Sequence, residues 1–133
     1  MKKLVHKHVL IKAYLKNPPM TVETLNQWLT ELVSDIGMKI CIPPRSRYVD
    51  VPGNRGVTGL VGIETSHCSC HVWDEENPGI IQMDVYSCSD FEPETVLNKL
   101  REFGLISYEL MLIDRNDGFK LLSHVVVEEK NDH

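Results

Sequence analysis

Only two stretches of this 133-residue chain carry helical periodicity, and most of the rest alternates like strand. In the first, Val22, Leu25, Trp28, Leu29, Leu32, Val33 and Ile36 recur at three- and four-residue spacing and make one apolar stripe. Thr21 precedes it as an N-cap and Gly37 ends it. In the second, 92–104, Val96, Leu97, Leu100 and Phe103 share a face and Gly104 closes the helix. Strands are predicted over 5–14, 38–42, 58–65, 67–73, 80–88 and 107–114, with a weak one over 121–127. Pro43-Pro44 closes the second of these, and 43–57 reads as a long loop rich in Pro, Gly and Arg. Strand, helix, several strands, helix, strand predicts an α+β two-layer sandwich, a mostly antiparallel sheet with helices on one face. The length fits one domain, 1–133. Its other sheet face is left bare, and covering an apolar bare face calls for a second copy, so a homodimer is expected.

The segment 67–73 is chemically unusual. Alternation puts His67, Ser69, His71 and Trp73 on one side and Cys68, Cys70 and Val72 on the other. Two imidazoles, a hydroxyl and an indole make neither an ordinary core face nor an ordinary solvent face. Around them stand Gly56-Val57-Thr58-Gly59, Glu64-Thr65-Ser66, Asp74-Glu75 and Asp84-Val85-Tyr86-Ser87-Cys88. A hydroxyl nucleophile, bases, carboxylates and a thiol thus gather within about two strands. A metal is not expected, because Cys68 and Cys70 point away from His67 and His71. Cys41, Cys68, Cys70 and Cys88 make no disulfide framework in a cytosolic chain. Net charge of -5 with scattered Lys and Arg excludes an electrostatic nucleic-acid partner. Every apolar run is broken by a charge or a proline, so no membrane span is predicted and a cytoplasmic protein is expected. His6 and His8 read as ordinary exposed strand residues. Arg45, Arg47 and Arg55 read as a solvated loop, with Arg55 able to meet a substrate carboxylate.

These elements resemble the signature of the prokaryotic S-adenosylmethionine decarboxylases: a Gly-x-Ser-Gly turn, matched by Gly56-Val57-Thr58-Gly59, then Glu-Ser-His leading to His-Thr-Trp-Pro-Glu, then Asp-x-aromatic-x-Cys. Ser66-His67, His71, Trp73, Glu75, Asp84 and Cys88 match in type and order, and the likeness spans nearly the whole chain. The resemblance implies a proenzyme cut between Thr65 and Ser66, where the Ser66 hydroxyl attacks the preceding carbonyl and a pyruvoyl cofactor is left at position 66. It implies Thr58 as the hydroxyl offered to the oxyanion and His71 as the base for the Ser66 α-proton. Cys88 would return a proton during decarboxylation, and Glu75 would bind substrate with Trp73 and His67 beside it. The implied substrate is the small molecule S-adenosylmethionine, giving the aminopropyl donor for spermidine synthesis in a homodimer or a dimer of cleaved heterodimers.

The chain also differs from that signature. Thr65 stands where the family has Glu, and His71-Val72-Trp73-Asp74-Glu75 lacks the family's Thr and Pro. Pro52 stands where an adenine-stacking phenylalanine is expected, with Tyr48 the available ring. Two competing expectations remain on the same scaffold: arginine or ornithine decarboxylation, and a non-cleaving homologue that binds or regulates.

Overall fold

Thr21 is extended and its hydroxyl accepts the Thr24 N–H at 3.1 Å, which starts α1 (Val22–Asp35). Leu25, Trp28, Leu29, Leu32 and Val33 are buried along one side of that helix. Each large aliphatic side chain so buried contributes about 1.5–3 kcal/mol. The shorter α2 (Pro93–Arg101) starts on its proline and buries Val96, Leu97 and Leu100. The Trp28 indole N–H donates to the Lys99 carbonyl at 3.0 Å and ties the two helices together.

The computed structural model describes residues 5–129. Seven strands make one sheet: β1 (Lys7–Leu15), β2 (Ile40–Val49), β3 (Gly56–Ile63), β4 (Ser66–Trp73), β5 (Gly79–Ser87), β6 (Leu105–Asp114) and β7 (Lys120–Glu128). Their order is β2-β3-β4-β5-β1-β6-β7, and every paired neighbour is antiparallel. This is the expected α+β architecture. Val9, Ile11, Ala13, Val57, Val61, Cys68, Cys70, Val72, Ile81, Met83 and Val85 point into the core shared with the helices. Gly59 permits the close approach of α1, since a Cβ there would meet Leu25 Cδ2 at 2.6 Å.

Two local readings are corrected. Residues 43–49 are not loop: β2 runs through Pro43-Pro44, with register shifts between Ile40 and Ile42 and between Ile42 and Arg45. It is an edge strand, where a proline's missing N–H costs no ladder bond. Gly56-Val57-Thr58-Gly59 opens β3 rather than forming a turn. Among the described residues no helix is long and apolar enough to cross a membrane. The charged end of the C-terminal tail lies outside the described residues.

Candidate active site

The β3–β4 hairpin pairs Ile63 with Ser66 and leaves Glu64-Thr65 as a two-residue turn. Ser66 follows that turn with φ of 149°, the one non-glycine among the described residues at positive φ. An L-residue there stores strain, of order 1–3 kcal/mol. The turn is pinned to the end of β5. Thr65 C=O accepts the Cys88 backbone N–H at 3.0 Å, and Thr65 Oγ1 accepts the buried Ser87 hydroxyl at 2.7 Å. Ser66 pairs with Ser87, so Cys88 is the next residue along from Ser66's partner. Its thiol is half-buried.

Beside Ser66 on the uncovered face lies a polar network. Ser66 Oγ and His67 Nδ1 are 3.1 Å apart, and His67 Nε2 is 3.0 Å from Asp84 Oδ2. The same carboxylate takes His8 Nε2 at 2.8 Å and the Ser69 hydroxyl on its other oxygen. Arg115 Nη1 lies 3.3 Å from His8 Nδ1, with its guanidinium 4.0 Å above the Tyr86 ring. Burial pushes the Asp84 carboxyl up, but the hydrogen bonds from Ser69, His8 and His67 outweigh it and hold it below the usual range. His8 is therefore no ordinary exposed residue, because its side chain packs against an ionised carboxylate. His8, His67 and Asp84 present donor atoms within 4.8 Å of one another, a spacing that could hold a metal ion. The Arg115 charge beside His8 opposes a cation there.

Thr58 and His71 sit opposite one another on β3 and β4, with Thr58 Oγ1 2.5 Å from His71 Nδ1. His71 Nε2 faces the Asn54 carbonyl at 3.2 Å, and the Trp73 ring meets His71 edge-on at 4.4 Å. Five residues of strand, about 16 Å, separate this pair from Ser66. One chain does not bring them together. Glu75 is engaged by Arg55 through its backbone N–H at 3.0 Å and its guanidinium at 3.5 Å. The Arg55 and Gly53 backbone N–H groups hold its carboxyl below the ordinary value. Arg55 also binds Asp50 at 2.8 Å, so it is not a free loop charge. Tyr48 donates to the Asp74 carboxylate at 3.1 Å.

Two recesses flank these groups. One, of about 310 Å³, is lined by Lys12, Trp73, Glu75, Pro78, Ile80 and Gln82 among others. The other, a shallow groove of about 340 Å³, includes Leu10, Thr58, Ser69, His71 and Asp84. Neither is lined by Ser66 or Cys88. On the core side, burial pushes the Cys68 and Cys70 thiols up to about 12, with the Asp84 charge adding to it. They stay protonated, opposite the histidines, which is a poor donor set for zinc.

Sequence reading missed His8, Arg115 and Ser87. Asp84 was visible as part of the signature, but nothing local shows three donors converging on it.

A family model described as S-adenosylmethionine decarboxylase matches residues 7–116. The S-adenosylmethionine decarboxylase proenzyme of Archaeoglobus fulgidus is 37% identical over 62 residues. That match covers 45% of this chain and 54% of the archaeal protein, so it spans about half of that relative. A phage SAM lyase solved in complex with S-methyl-5'-thioadenosine aligns over 97% of this chain and 95% of its own, at 12% identity and a TM-score of 0.43, too slight a likeness to carry weight. With the family model covering most of its length, the chain belongs to the S-adenosylmethionine decarboxylase family.

Proposed function

We propose that this chain cuts itself between Thr65 and Ser66 and, through a pyruvoyl group formed from Ser66, decarboxylates S-adenosylmethionine in the cytoplasm to supply an aminopropyl donor for spermidine synthesis. The observation that carries the reading is the turn itself. Ser66 holds a strained backbone, and the carbonyl it would attack already accepts the Cys88 N–H at 3.0 Å. That donor stabilises negative charge developing on the Thr65 oxygen. Strain released on rearrangement lowers the barrier to the ester. The residues at the turn therefore fit a group made from Ser66.

A pyruvoyl group supplies a ketone that draws electrons from the bond to a departing carboxylate. Cys88, beside Ser66's strand partner, returns the proton to the substrate carbon. Trp73 and Glu75, in the same recess and farther along the chain from Ser66 than His71, hold the nucleoside end of substrate reacting at a second copy's Ser66, with Glu75 accepting ribose hydroxyls once Arg55 yields.

His71 and Thr58 act in trans. They lie about 16 Å along β4 from their own Ser66. A second copy packed on the uncovered face about a two-fold axis offers each copy's His71 to the other's Ser66, because an isologous interface makes every contact twice. Leu10 and Leu60, 37% and 49% exposed on that face, are then covered.

Intact mass under denaturing conditions tests the first step. Fragments 1–65 and 66–133 are expected from the wild type and none from Ser66→Ala, followed by carbon dioxide release from carboxyl-labelled S-adenosylmethionine. A persistent 15.2 kDa species would overturn self-processing. Co-folding Ser66→Ala with His71→Ala chains should restore cleavage of the His71→Ala chain. If it does not, the trans arrangement fails.

A further inference from the structure

The network around Asp84 has no part in the scheme above, yet it is the polar cluster that touches Ser66. Asp84 is ionised and can only accept, so each group facing it donates. His67 must then carry its proton on Nε2, at 3.0 Å from Oδ2. In the neutral ring that leaves Nδ1 as a lone pair, and Nδ1 faces Ser66 Oγ at 3.1 Å. His8 obeys the same logic: Arg115 can only donate to its Nδ1, so His8 Nε2–H donates to Asp84. The Ser69 hydroxyl takes the other carboxylate oxygen. The carboxylate thus accepts three donors, from β4 and β1, and fixes the tautomer of His67. The groups facing His67 are Ser66, Asp84, and the rings of His8 and Tyr86, whose centroids lie 6.3 and 6.2 Å away.

We infer that His67, held by Asp84, is the general base for the first step of self-cleavage, the attack of Ser66 on its own preceding carbonyl, and that nucleophile and base belong to the same chain. This rests on the processing reading above and assigns it a new residue pair. His67 Nδ1 takes the hydroxyl proton as the Ser66 Oγ–Thr65 C bond forms. Charge builds on the Thr65 oxygen, which accepts the Cys88 N–H. The same proton passes to the Ser66 nitrogen as the Thr65 C–Ser66 N bond breaks. An amide becomes an ester and an amine, with no net proton, water or oxidant consumed. His67 is a catalytic residue in this scheme, because it touches the reacting oxygen, and Asp84 is a positioning residue. The division of labour is between two imidazoles on one strand, His67 in cis for the acyl shift and His71 in trans for the later α-proton.

Freshly translated full-length chains, followed by mass and by hydroxylamine, which cleaves esters, separate the two steps. His67→Ala should slow cleavage about a hundredfold or more and accumulate no hydroxylamine-labile ester. Added imidazole should restore part of its rate, and His67→Gln, which packs but takes no proton, should not. His71→Ala should instead accumulate the ester. Asp84→Asn should slow ester formation, with Asp84→Glu recovering part of the loss, which a purely structural role would not produce. Should Asp84→Asn fail to fold, the His67→Gln and imidazole results still decide. Wild-type cleavage with His67→Ala within about threefold of it, or ester accumulating in His67→Ala, would overturn this inference alone. An uncut wild type would overturn it together with the processing reading.

Discussion

The two faces of β4 are made by alternate residues of one eight-residue strand, yet they obey different rules. Toward the helices, Cys68, Cys70 and Val72 are buried in an apolar layer that also holds Val61, Val85 and Leu29. Away from the helices, His67, Ser69 and His71 keep partial exposure and are held by hydrogen bonds to Asp84 and Thr58. The covered face stabilises by removing apolar area from water. The open face keeps polar groups that are satisfied by one another and within reach of solvent. Residue type alone does not separate them, since Cys88 is half-buried next to the strained Ser66 turn while Cys68 and Cys70 are buried in the core. Position on the pleat decides.

The widest separation expected between the faces is in thiol reactivity. Exposed Cys41 should alkylate quickly, whereas Cys68 and Cys70 should react only after opening, about a thousandfold slower or more in a domain of ordinary stability. Both core thiols rise from an ordinary value near 9 to about 12 on folding, so the unfolded chain loses those protons first. Stability should therefore be unaffected by them below pH 9 and fall as pH rises from 9 toward 12, read by urea midpoints. Rapid labelling of Cys70 in the folded protein would break the distinction.

A paired truncation sharpens it next. Leu29→Ala, on the fully buried helix stripe, should cost about 2–5 kcal/mol. His71→Ala should change stability by only about 0.5 kcal/mol while blocking processing. Equal losses in urea denaturation would mean that the open face is structural after all.

The smallest effect belongs to the turn. In an uncut background, Ser66→Gly should be more stable than Ser66→Ala by about 1–2 kcal/mol, because glycine alone accepts the backbone at 149° without strain. Equal stability would remove stored strain from the account of self-cleavage.

Much of this was legible beforehand for local reasons. The stripe of Leu25, Trp28, Leu29, Leu32 and Val33 and the cap at Thr21 are properties of a helix in isolation, and α1 follows them. The alternation of Cys68, Cys70 and Val72 against His67, Ser69 and His71 follows from a two-residue period. Thr58 and His71 were singled out together only through the family signature, and their pairing across the β3–β4 hairpin is seen only in the structure. Likewise, Pro43-Pro44 reads as an ending, and only the position of β2 at the sheet edge makes it a strand. Pattern cannot reveal which strand is outermost.

By itself, then, the sequence determined the element types, the two-faced character of β4 and the family signature, because those depend on residues within a few positions of one another. The tertiary structure alone decided that β1 inserts between β5 and β6. That insertion sets His8 against Asp84 across 76 residues and Arg115 against His8 across 107. It also decided that His67 Nε2 meets Asp84, 17 residues away on the neighbouring strand. Strand order is chosen by how one core is closed, a collective property of burial and chain connectivity that no local periodicity encodes.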